Sequence, residues 1–104
     1  MSRWLLIAVT FTALACQDQA PLDPAERGRR AYMANCIACH HSDPKREGVM
    51  GPAIAGSSQE LIEARIMRAE YPPGYVPKRD TNLMPAQPFL RPQIEPLAAY
   101  LALP

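Results

Sequence analysis

Cys36-Ile37-Ala38-Cys39-His40 is the run of this chain whose residue types and spacing most directly specify chemistry. Residues three apart on a helical turn share a face, so both thiols can be offered to one planar partner, and the next residue is carried beneath it. C-x-x-C-H is the attachment signature of c-type haem. In that reading Cys36 and Cys39 form thioethers with the two vinyl groups, and His40 ligates the iron as a neutral imidazole. Three other readings of the same residues stand beside it. A thioredoxin-like redox pair needs a preceding strand and a cis-proline partner strand, and neither is visible. A structural zinc site needs four ligands, and Cys36, Cys39, His40 and the adjacent His41 do not readily form a tetrahedron. A plain disulfide between Cys36 and Cys39 is the third.

The chain that must position these groups has 104 residues, 12 prolines, 3 cysteines and 11 Lys+Arg against 10 Asp+Glu. That length allows one domain, and a chain of this size buries only about 60 to 65% of the surface its unfolded form exposes. A formal charge of +1 lacks the dense basic footprint that nucleic acid requires, so no nucleic-acid partner is expected. So many prolines also exclude a plain helical bundle. Something besides a large side-chain core has to hold the fold together.

The N-terminal end has its own logic. Arg3 is the only charge before Asp18, and the uncharged stretch from Trp4 to Gln17 is shorter than the roughly 20 residues a membrane-spanning helix needs. A positive start, a short apolar run and a small-residue end describe an export signal over residues 1–15. Ala13-Leu14-Ala15 suits ordinary signal peptidase, whereas Cys16 directly after it resembles the lipobox cysteine of bacterial lipoproteins, which becomes diacylglycerol-modified. The resemblance implies residues 16–22 as a lipidated N-terminus and short tether, a Gram-negative periplasmic location and a membrane contact through the lipid; plain secretion is the other reading. Export also supplies the compartment where haem is attached, and lipidation of Cys16 resolves the odd cysteine count. Removing residues 1–15 takes away Arg3 and leaves the remaining side chains with no net charge.

Three short helices are expected in the folded part, residues 23–104. Asp23 before Pro24, with Glu26 following, reads as a capping box opening a helix from Ala25 to about Cys39. Ser57 with Glu60 reads as a second capping box, for a helix through about Glu70 with Leu61, Ile62, Ile66 and Ala69 on its apolar face. The third runs from Gln93 to Leu103, with Ile94, Leu97, Ala98 and Leu101 at helical spacing, and Pro96 must fall in its first turn, where the missing N–H has no partner. No stretch alternates with period two, so the expected fold class is all-α, with about three helices wrapped around a covalently attached haem.

These segments resemble the class I, single-haem cytochromes c from about Ala25 to Leu101. Gly28 and Tyr32 ahead of CIACH resemble the family's N-terminal helix contacts, and Ile94 with Leu97-Ala98-Ala99-Tyr100-Leu101 resembles the C-terminal helix that crosses it. Gly51-Pro52-Ala53-Ile54-Ala55-Gly56 is similar to the segment covering the proximal side of the haem, which implies that the Pro52 carbonyl accepts a hydrogen bond from Nδ1 of His40. Leu83-Met84-Pro85 is similar to the family's sixth-ligand segment. Elimination also favours Met84: Met1 leaves with the signal, Met33 sits three residues before Cys36 on the same helix, Met67 suits a helix core, and Met50 lies too soon after His40 to cross the ring. A core role for Met84 is the alternative.

The resemblance implies a carrier of single electrons, with one haem c, redox protein partners in a membrane-associated respiratory chain, and no small-molecule substrate, since both axial positions are filled. It implies no enzyme activity. A ligand sensor or peroxidase-like protein, with a labile distal methionine, is the alternative. His41 is expected on the solvent side, with an iron ligand or a redox-linked proton site as its alternatives, and Tyr71, Tyr75, Lys78 and Arg79 are either partners of the haem propionates or ordinary loop residues.

Overall fold

The computed structural model describes residues 21–104, so Cys16 and the export segment lie outside the described residues. Helix α1, Pro24–Asn35, begins where Pro24 presets the backbone angle of the first helical position. The expected capping box does not form: Asp23 makes no side-chain cap bond. Glu26 instead takes hydrogen bonds from Arg29 at 2.8 and 2.7 Å, a charge-assisted fork that also holds its carboxyl down at about 2. The helix stops short of Cys39. The Cys36 carbonyl accepts both the Cys39 N–H at 3.3 Å and the His40 N–H at 2.9 Å, closing a separate turn over the C-x-x-C-H residues.

Helix α2, Gln59–Arg68, is capped one residue later than the spacing suggests. Ser57 is taken up by the turn before it, where its hydroxyl donates to the Ile54 carbonyl at 2.6 Å. Ser58 therefore caps, accepting from the Leu61 N–H at 3.1 Å, and Glu60 is too early to complete a box. Ala69 ends the helix in the left-handed region at φ 53°, before Glu70 is reached.

A 3-10 segment, Pro88–Gln93, leads into helix α3, Ile94–Leu101. Pro88 and Pro92 withhold two donors, which suits a short tight turn better than an α-helix and delays the start of α3 to Ile94. Pro96 then falls in the first turn of α3, as expected. The described residues contain three α-helices and no strand, an all-α fold.

The crossing of α1 over α3 is set by Gly28. A Cβ there would lie 1.9 Å from the Pro96 carbonyl oxygen and 2.8 Å from the Tyr100 Cβ, so only glycine lets the two backbones meet. Tyr32 stands one turn further on, fully buried, its ring 5.5 Å from that of Tyr100 at a 53° tilt. Around it pack Ile62 and Ile66 of α2, Leu90 of the 3-10 segment, and Ile94, Leu97 and Leu101 of α3.

The Tyr32 hydroxyl donates to the His41 carbonyl, tying α1 to the chain beyond the cysteines. Burial pushes its phenol up to about 12, chiefly through lost hydration of the phenolate. An acid with a raised folded-state pKa contributes its stability below its unfolded value and loses it as the pH climbs. Tyr32→Phe should therefore lower stability by about 1 kcal/mol at neutral pH. Its deficit should shrink between about pH 10, the ordinary phenol value, and pH 12. Denaturant unfolding of the haem-loaded protein across that range measures both.

Candidate functional site

Helices α1 to α3 leave between them a cavity of about 420 Å³, within the range of cofactor and ligand sites. Ile62 and Ile66 of α2, Leu90, and Leu97 and Leu101 of α3 form much of its wall. Cys36, Cys39 and His40 enter from the turn after α1, and Met84 from the loop between Ala69 and Pro88. Pro52 lines the cavity as well.

The His40 ring is fixed from behind. Its Nδ1 lies 2.9 Å from the Pro52 carbonyl oxygen. A carbonyl only accepts, so the ring proton belongs on Nδ1 and the lone pair on Nε2 is left for a ligand. The loop carrying Pro52 is held by the Cys39 carbonyl, which accepts the Met50 N–H at 3.2 Å and the Gly51 N–H at 2.9 Å. Gly51 is buried beneath the imidazole, and a Cβ there would come within 2.6 Å of both Cε1 and Nδ1.

Cys36 and Cys39 are unjoined and half-buried. Burial pushes the Cys36 thiol up to about 11, so it is protonated at neutral pH and ill-suited to thiol exchange, which needs the thiolate. Among the described residues no three His, Cys, Asp or Glu side chains gather as a metal-holding group, so the zinc arrangement is not formed.

Of the other methionines, Met33 and Met67 pack against the core, while Met50, half-exposed, shares the cavity wall with Met84. His41 does not line the cavity; its Nδ1 accepts the Asp43 N–H at 2.9 Å. Tyr71, Tyr75, Lys78 and Arg79 all line it. The two tyrosine rings stack at 5.5 Å, Lys78 Nζ donates to the Ala53 carbonyl at 2.7 Å, and Arg79 pairs with Glu47. The sequence reading missed Arg65, which also reaches the cavity. Its signal was a cation on the apolar stripe of α2, three residues after Ile62 and one before Ile66.

Two free thiols, an imidazole with Nε2 available, a thioether and mostly apolar walls fit a planar iron porphyrin attached through its vinyl groups. Fold and cavity together define a small all-α haem protein. The Cytochrome c family profile matches residues 25–103, and the chain belongs to that family. Family membership brings covalently bound c-type haem, and haem-based electron transfer as the general activity. No curated protein and no solved structure matches the chain.

Gly51→Ala should force the imidazole and the Pro52 carbonyl apart. The expected outcome is faster solvent exchange of the His40 Nδ1 proton in the reduced protein, followed by NMR, with a loss of about 1 to 3 kcal/mol in unfolding free energy.

Proposed function

We propose that this chain is a class I, single-haem electron carrier in which Cys36 and Cys39 would hold the haem covalently and His40 and Met84 would ligate its iron. The observation that carries the reading is that both thiols, the oriented His40 ring and Met84 face one apolar cavity. A haem held there would supply one-electron Fe(III)/Fe(II) chemistry, and the Met84 thioether would favour the reduced state relative to a second imidazole. The chain's own contribution is positional. Pro52 fixes the tautomer and direction of His40, the apolar walls exclude water, and the loop ending at Gln87 presents Met84. Were His40 and Met84 both to ligate the iron, no position on it would be left for a small-molecule substrate, which argues against an enzyme.

Partner encounter has an electrostatic side. Residues 16–104 carry no net side-chain charge, so association with donor and acceptor proteins should depend weakly on ionic strength. A lipid on Cys16 would offset weak steering by holding the carrier near membrane-associated respiratory partners at raised effective concentration. Residues 1–15 serve as the export signal in this reading, and the periplasm is the location.

Met84→Ala should abolish the near-infrared charge-transfer band of methionine-ligated ferric haem and lower the reduction potential. A wild-type protein without that band at neutral pH would overturn Met84 ligation and favour an open distal site of the sensor or peroxidase type. Cys16→Ser should move the protein from the membrane to the soluble fraction on cell fractionation, and retention would point to a different anchor.

A further inference from the structure

The cavity wall has a one-sided charge. Arg65, Lys78 and Arg79 line it, and no aspartate or glutamate does. Arg79 is matched by Glu47, and Lys78 is exposed to water. Arg65 differs from both, being 8% exposed and the buried charged side chain of the described residues. Its Nη1 donates to the Ala69 carbonyl at 2.9 Å, and its guanidinium lies 4.2 Å from the centre of the Tyr71 ring. It forms no ion pair with any carboxylate among the described residues. One hydrogen bond and one ring face leave most of its five N–H donors open, and a buried charge lacking an anion is costly.

We propose that Arg65 is the buried counter-ion of a haem propionate, and that it sets which way the haem lies in the cavity by anchoring one carboxylate against α2. A carboxylate matches the guanidinium fork in two parallel hydrogen bonds, a geometry that lysine does not reproduce. The Ala69 carbonyl and the Tyr71 ring then act as the frame that aims the fork, and the end of α2 doubles as part of the haem seat. The assignment rests on this cavity being that seat.

Nuclear Overhauser contacts in the reduced, diamagnetic holoprotein labelled at arginine nitrogen test both statements separately. The expected result is cross-peaks from the Arg65 Nε–H or Nη–H protons to a propionate methylene. Haem contacts to Ile66 and Leu97, with Arg65 showing only Tyr71 and Ala69, would overturn the Arg65 assignment and leave the seat intact. Haem contacts to none of these residues would overturn both. The charge is tested by R65Q and R65K. Leaving the propionate uncompensated favours the more positive oxidised iron, so R65Q should lower the reduction potential and R65K should recover most of the fall. A guanidinium that only closes the end of α2 would change thermal stability in the two variants and leave their potentials equal to the wild-type value, and that result would overturn the proposal.

Discussion

All three helices turn apolar side chains toward a space that they do not fill. Ile66, Leu90, Leu97 and Leu101 belong at once to the packed core and to the cavity wall, so the interior is continuous from the Tyr32 cluster to the cavity. In so short a chain, such a gap would forfeit much of the dispersion and burial that stabilise folding. The haem is therefore the remaining part of the core as well as the redox centre. This explains why helices of 12, 10 and 8 residues, marginal by themselves, are sufficient here. It also fits the tolerance for 12 prolines, of which Pro52 and Pro85 line the cavity and Pro72, Pro73 and Pro77 lie in the loop that carries Met84.

The orientation of His40 comes from a short chain of dependencies. The Cys36 carbonyl closes the turn that delivers His40, and the Cys39 carbonyl gathers the loop behind it. Gly51 keeps that loop thin enough for the Pro52 carbonyl to reach Nδ1. The residues of the C-x-x-C-H run thus organise their own support through backbone groups, whatever the intervening side chains at Ile37 and Ala38. The crossing at Gly28 places α3 against α1, and with it Leu97 and Leu101 in the cavity wall.

The sequence made the helices and the chemistry legible to different degrees. The periodicity of Ile94, Leu97 and Leu101 and the first-turn position of Pro96 are local signals that the structure follows, and C-x-x-C-H is a local signal whose residues it brings to one cavity. Both capping boxes failed because a nearer partner took the group: Arg29 took Glu26, and the turn at Ile54 took Ser57. The end of α1 moved back from Cys39 because the Cys36 carbonyl serves two N–H groups at once, which periodicity does not encode. Arg65 was hidden for another reason. A cation on an apolar stripe looks like an interruption until the fold shows that the stripe borders a cavity.

The loop that carries Met84 leaves and rejoins the same helix. It departs at Ala69, whose carbonyl is held by Arg65, and returns where the Gln87 N–H donates to the Ile66 carbonyl at 2.7 Å. A loop pinned at both ends to one turn of α2 can be exchanged as a cassette. Doubling its length would add only about 0.6 kcal/mol of closure entropy, and the three-helix frame would not feel the change. The side chains this segment turns toward the cavity and the surface it shows to partners can thus diversify while the three-helix frame stays constant.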